Sequence, residues 1–257
     1  MNKLTLALIT SAFLSTPAFA DDASPAKPTI VLAHGAFADG SSWDKVVPLL
    51  QAKGYDVVAV HQPLTSLADD AAATRRVIRA QTGDVILVGH SYGGVVITEA
   101  GTEEKVKALV YVAAFAPDAD ESINDLGKGA PPPPWLPTVG FDEAGFGFIP
   151  LDTVTKYFAQ DLPGKEQKVL TAKQGWTAGK ALADKVKTPA WKSKPVWYVR
   201  AAKDRFIDPG AQALMAKRMA AKVTTVDGSH VVMLSKPAQV AAVILEAATA
   251  TTRTAKR

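Results

Sequence analysis

The sequence predicts a doubly wound α/β fold, a mostly parallel sheet covered by helices on both faces. Three observations lead there. Strand-like apolar runs alternate with helix-like runs over residues 29–114 and again over 195–250. The strand-like runs are apolar throughout, as in strands buried on both faces of a parallel sheet. The composition, 47% hydrophobic and 21% charged over 257 residues, can fill one large core.

The elements follow in order. "TIVLAHG" (29–35) reads as a buried strand, and "SSWDKVVPLLQAKG" (41–54) as an amphipathic helix stopped by Gly54. "YDVVAV" (55–60) is a strand, "SLADDAAATRRVIRAQ" (66–81) a helix, and "DVILVG" (84–89) a strand. "GGVVITEAG" (93–101) opens a helix and "VKALVYVAA" (106–114) is a strand. The alternation breaks from about 117 to 189, where "GAPPPPWLP" and "GFDEAGFGF" are followed by the short helical pieces 151–162 and 180–186. Proline removes ladder donors, so this stretch cannot belong to the central sheet. Its aromatic residues point to a packed insert that caps something. The pattern then resumes with a strand (195–202), a helix (209–220), a strand (222–228) and a final helix (236–250).

The two ends are read separately. "MNKLTLALITSAFLSTPAFA" has a lysine start, an apolar run too short to span a bilayer comfortably, and Ala18-Phe19-Ala20 before two aspartates. This is the layout of a signal peptide cleaved after Ala20, so the mature chain is expected outside the cytoplasm, periplasmic or secreted. With no cysteine, an exported fold must hold by packing alone. The net charge of +4 is scattered apart from the tail at 253–257, which reads as a solvated end and not as a grip on nucleic acid.

Gly89-His90-Ser91-Tyr92-Gly93 lies where a strand hands over to a helix. A turn that sharp strains its central residue, and glycines two positions to either side remove clashing side chains. Ser91 is thereby held out at the carboxyl end of the sheet, where open α/β folds bind ligands. A serine hydroxyl needs a base with a pKa near neutrality. His34 and His90 sit in tight turns and His61 ends a strand, whereas His230 lies in the loop after the last strand. A carboxylate must orient that imidazole. Asp204 directly follows a strand, Asp208 precedes Pro209 as a helix cap, and Asp227 is too close to His230 in sequence. An oxyanion formed on attack needs backbone donors. Tyr92 N–H is one, and the first loop offers Ala36, or failing that Phe37. Phe115 and Tyr92 are the first candidates for pocket lining, with Trp135, Phe146 and Trp176 of the insert beside them. No histidine–carboxylate spacing points to a metal, and the chemistry requires no cofactor.

"VLAHGAFADGSSW", "LVGHSYGG", "AAKDRFI" and "GSHVVMLSKP" together resemble the α/β-hydrolase superfamily, and most of all the small plant-esterase and hydroxynitrile-lyase type group that includes methyl-salicylate esterase-like proteins. The resemblance implies a Ser91–Asp204–His230 triad, about six parallel strands with an insert that shapes the pocket, and ester hydrolysis through an acyl-serine; the aromatic residues of the insert point to small to medium, largely apolar substrates. Similar hydroxynitrile lyases often carry Thr at the position of Gly35 and Lys at that of Val231, and superfamily dehalogenases carry Asp at that of Ser91. Alternatives are a lyase or perhydrolase on the same fold, or a catalytically silent binder of apolar ligands.

Overall fold

The computed structural model describes residues 26–254, with side chains to 251; the expected leader at 1–20 and the side chains of the basic tail lie outside the described residues. The strands are β1 (Thr29–Ala33), β2 (Val57–Ala59), β3 (Val85–His90), β4 (Val106–Val112), β5 (Gly140–Phe141), β6 (Phe146–Phe148), β7 (Thr177–Ala178), β8 (Val196–Ala201) and β9 (Lys222–Val226). Six of them form one sheet in the order β2-β1-β3-β4-β8-β9, every pair parallel. The doubly wound α/β expectation and its strand count are met.

Successive side chains of a strand point to opposite faces, and in the inner strands β1, β3 and β4 both faces are buried. Ile30, Leu32, Ile86 and Val88 enter one core with Trp43, Leu50, Val240 and Ile244. Val31, Ala33, Val85 and Leu87 enter the other with Ala71, Ile78, Ile97 and Met215. Helices Leu67–Ala80, Gly93–Ala100 and Pro209–Arg218 cover the second face, and the long helix Pro237–Thr254 covers the first. Ser66 caps Leu67–Ala80 by accepting from Asp69 N–H, with Asp69 and Asp70 in its first turn.

Two helical expectations change. The single helix at 41–54 is instead a 3₁₀ turn, Gly40–Trp43, followed by a short helix Val47–Gln51. Pro48 has no N–H to bond backwards, so it sits in a first turn and not in a helix interior. The piece at 151–162 is one helical turn, Leu151–Thr153, that widens into a π-helical turn, Val154–Phe158.

Residues 117–189 stay out of the main sheet. They carry a small antiparallel sheet, β5-β6-β7, and the helices Gly164–Lys173 and Gly179–Ala183. Ile149, Val154, Phe158 and Leu162 join the first core, so this segment is packed against the body.

The register decides where the loops go. Ala33 pairs Gly89, His90 pairs Val112, Val112 pairs Val199, and Ala201 pairs Val226. The loops after β1, β3, β4, β8 and β9 therefore leave from one edge. Among the described residues no helix is long and apolar enough to cross a membrane.

Candidate active site

Ser91 follows β3 and precedes helix Gly93–Ala100. Its φ is 53°, a left-handed conformation that non-glycine residues adopt only when their surroundings impose it. Here Ser91 N–H donates to Val112 O at 3.3 Å, and Ser91 O accepts from Gly94 N–H at 2.9 Å and Phe115 N–H at 3.1 Å. A Cβ at Gly93 would lie 2.6 Å from the carbonyl oxygens of both Ala33 and His34, so the corner closes against backbone that cannot yield.

Asp204 and His230 meet although 26 residues separate them. His230 Nδ1 lies 2.8 Å from Asp204 Oδ2, and both side chains are fully buried. Asp204 Oδ1 accepts from Phe206 N–H (2.7 Å) and Ile207 N–H (2.9 Å), and its Oδ2 also accepts from Gln212 Nε2 (2.8 Å). Four donors suit the ionised carboxylate, which only accepts. With Nδ1–H donating to Asp204, the free lone pair of the neutral imidazole is on Nε2, and that atom is buried with no hydrogen-bond partner. Asp208 instead caps helix Pro209–Arg218 through Gly210 and Ala211 N–H, and Asp227 pairs with Lys203 at the surface.

Gln212 was not anticipated from the sequence. It is fully buried, and it also donates to Ile207 O and accepts from Ala201 N–H, which locks the loop that carries Asp204. His90 does similar work for the other partner. Its Nε2–H donates to the His230 carbonyl at 2.9 Å, and the two rings lie 4.7 Å apart. Burial, reinforced by the neighbouring His230, pushes the His90 pKa well below its ordinary value, so it donates as a neutral imidazole.

The first loop packs directly on the corner, because a Cβ at Gly35 would sit 2.8 Å from Ser91 Cβ and 3.0 Å from His90 Nδ1. Among the described residues, no acceptor takes the N–H of Ala36 or of Tyr92. Phe37, the second choice for an oxyanion donor, is corrected: its N–H donates to Thr177 Oγ1 at 3.0 Å and is not free. His34 Nε2 accepts from Gln62 N–H (3.3 Å), which leaves the proton on Nδ1 to donate to Gly35 O (2.9 Å). Burial lowers the His34 pKa and keeps the ring neutral.

The Tyr92 side chain is also corrected as a pocket residue. It is buried, and its hydroxyl donates to Asp70 Oδ2 at 2.6 Å while Asp70 Oδ1 accepts from Leu64 N–H at 2.8 Å. Burial raises the Asp70 pKa to about 6, and it also raises that of Tyr92.

The candidate pocket residues separate into two groups. Phe115 adjoins the corner through its N–H bond to Ser91 O. Trp135 stacks on Phe206 at 3.8 Å and donates from Nε1 to Phe206 O at 2.8 Å, while the Phe206 ring lies 5.0 Å from that of His230. Phe146 belongs to the small sheet, and Trp176 is 48% exposed and stacks on Phe148. Among the described residues, no hydrogen bond or ring contact joins either of these to Ser91, Asp204 or His230. The aromatic residues that do surround His230 are Phe206 and Phe158, each at 5.0 Å, with Phe37 edge-on to Phe206 at 6.3 Å. The nearest sequence signal was Phe206, two residues after Asp204; nothing local marked Phe158.

The site is covered: Ser91 is 3% and His230 0% exposed. A surface cleft of about 280 Å³, lined by Lys45, Asp161, Glu166, Lys203, Asp227 and Lys236 among others, contains none of the three residues. Among the described residues no cluster of histidines and carboxylates could hold a metal ion.

A chain with this corner and this loop arrangement has relatives. It is 27% identical over 245 residues to a probable hydrolase, R7, of a Phoma species, covering 86% of this chain and 98% of that protein. It is 33% identical over 127 residues to the salicylic acid-binding protein 2 of Nicotiana tabacum, where the match spans 42% of this chain and 49% of the relative. A crystal structure of a pyrethroid hydrolase from Sphingobium faniae superposes with a TM-score of 0.76 at 23% identity, covering 87% of this chain and 98% of that one. Residues 30–243 match the alpha/beta hydrolase family, and the protein belongs to that family.

Proposed function

We propose that the protein is a serine esterase that cleaves small to medium, largely apolar carboxylic esters through an acyl-serine intermediate. The observation that carries this reading is the buried Asp204–His230 pair with Nε2 unpartnered, whose imidazole lies 4.7 Å from the ring of His90, the residue before Ser91 at φ 53°. His230 Nε2 takes the Ser91 proton as the hydroxyl oxygen attacks the ester carbonyl. Asp204 accepts from Nδ1–H and stabilises the imidazolium that forms. The N–H groups of Ala36 and Tyr92 hold the oxyanion, on the order of 3 kcal/mol each by analogy with measured holes. The imidazolium then protonates the departing alcohol, and His230 next activates water to release the acid. No metal or organic cofactor enters these steps.

Phe37, Phe158, Phe206 and Trp135 form the apolar wall beside His230, which supports an apolar group on the substrate. The relatives named as hydrolases support the reaction class. A fluorophosphonate probe and a series of p-nitrophenyl esters of graded acyl length test the reading. Wild type is expected to label and to hydrolyse, and Ser91→Ala to do neither. Labelling that persists in Ser91→Ala removes Ser91 as nucleophile, and a wild type that does not label favours a non-catalytic binder.

A further inference from the structure

Of the two N–H groups assigned to the oxyanion, Tyr92 N–H is fixed by the corner itself. The N–H of Ala36 sits in a loop, and its direction depends on the peptide units on either side. In a trans peptide the C=O and the N–H point opposite ways, so gripping one end aims the other. The unit before Ala36 is gripped through Gly35 O by His34 Nδ1 at 2.9 Å. The unit after it is gripped through Phe37 N–H by Thr177 Oγ1 at 3.0 Å.

Thr177 lies 140 residues away, in β7 of the inserted segment, and is 1% exposed. Its hydroxyl passes the chain on to Gly175 O at 3.3 Å, and Gly175 N–H donates to Ala38 O at 3.2 Å. One short stretch of the insert thus holds the first loop on both sides of Phe37. The grip opposes a real tendency to relax, because Phe37 has φ 56°, unfavourable for a bulky side chain.

We propose that Thr177 is a positioning residue: its hydroxyl holds the peptide unit that follows Ala36 through the Phe37 N–H, keeps Ala36 in place while His34 aims the Ala36 N–H through Gly35 O, and makes the oxyanion hole depend on the docked insert. The proposal rests on the serine-esterase reading above. The insert is then more than a cover that shapes the pocket, because it supplies part of the preorganisation on which oxyanion stabilisation depends.

Thr177→Val keeps the shape of the side chain and removes the acceptor, leaving the buried Phe37 N–H unpaired. Thr177→Ser keeps the acceptor. Three quantities are read for each variant, at a temperature well below the lowest melting point of the set: kcat and KM on p-nitrophenyl butyrate, and the inhibition constant of a trifluoromethyl ketone. Ser91 Oγ adds to the ketone carbonyl while its proton passes to His230, so the adduct places an oxyanion in the hole. In Thr177→Val, kcat is expected to fall about 10-fold and the ketone to bind about 10-fold more weakly, with KM changed by less than about twofold. Thr177→Ser is expected to recover most of both losses. If Thr177→Val does not fold, Thr177→Ala tests the same lost acceptor.

The proposal is overturned by wild-type kcat and ketone affinity in Thr177→Val. It is equally overturned by a loss confined to KM, or by one that serine does not restore. The two levels separate cleanly. Hydrolysis retained by Ser91→Ala sinks the esterase reading itself, whereas an unaffected Thr177→Val in an enzyme that needs Ser91 sinks only the role of Thr177.

Discussion

Ser91 and Phe37 are both non-glycine residues with a left-handed backbone, φ 53° and 56°, and both lie at the same edge of the sheet, yet they are held by different parts of the molecule. Ser91 is bonded to Val112 at the end of β4, to Phe115 just beyond it, and to Gly94 in the helix that follows. All three belong to the doubly wound body. Phe37 is bonded to Thr177, in the insert, and its ring leans on Phe206. The Ser91 corner is thus a property of the sheet and its helices, whereas the loop proposed to receive the developing charge is completed by a segment that only packs on them. Backbone strain persists where many contacts over-determine it, and the two loops differ in how far apart in the chain those contacts originate.

Substitutions where the corner closes against the end of β1, at the contact of Ser91 with the first loop, or in the support behind the corner should separate these contributions. The largest effect is expected from Gly93→Ala. Its Cβ meets two backbone carbonyls at 2.6 Å, and neither can move without shifting β1. Urea unfolding should show a loss of about 3 kcal/mol, the upper end of what overpacking costs, together with loss of Ser91 labelling. A stable, labelling Gly93→Ala would mean that the corner is less rigid than the body it is built from.

An intermediate effect is expected from Gly35→Ala, whose Cβ would press on Ser91 Cβ at 2.8 Å and push the first loop away from the corner. Stability should fall by about 1 kcal/mol, while kcat falls between about 10- and 100-fold because the reacting groups are misplaced. Parallel losses of stability and activity would erase the distinction between loop and corner.

The smallest effect is expected behind the corner, at Asp70→Asn. Asn keeps an acceptor for Leu64 N–H and can donate its amide to the Tyr92 hydroxyl, so the two buried hydrogen bonds are weakened and not lost, at a cost of about 0.5 kcal/mol. Its signature is in the pH dependence. Burial raises the Asp70 pKa from 3.8 to about 6 in the folded protein, so between those values the folded state binds more protons than the unfolded one. The contribution of Asp70 to stability therefore grows as the pH falls through that window. His34 and His90 act in the opposite sense. Their folded pKa values lie below 6.5, so the stability they contribute is complete above 6.5 and is lost as the pH falls. Melting curves from pH 7 to 4 should accordingly show Asp70→Asn losing stability more steeply than wild type; parallel curves would falsify the assignment.

Strands that are apolar at every position declare burial on both faces, and the glycine spacing around Ser91 declares a sharp strand-to-helix turn. Both are local patterns, set by the two-residue repeat of a strand and by contacts among near neighbours, so the fold class, the order of the elements and the corner were legible in the sequence. The loop positions of Asp204 and His230 were legible too, because a parallel sheet sends the loops that follow its strands to one edge. What could not be read locally was everything that depends on distant segments meeting. Trp176, promising as an aromatic residue of the insert, turned out to stack on Phe148 at the surface, while Phe158 and Phe206 took the places beside His230. The Phe37 N–H was taken by Thr177, and Gln212 closed around Asp204. Such partnerships join residues up to 140 positions apart, and they are selected by the way the insert and helices settle on the sheet, a choice that no periodicity in the chain encodes.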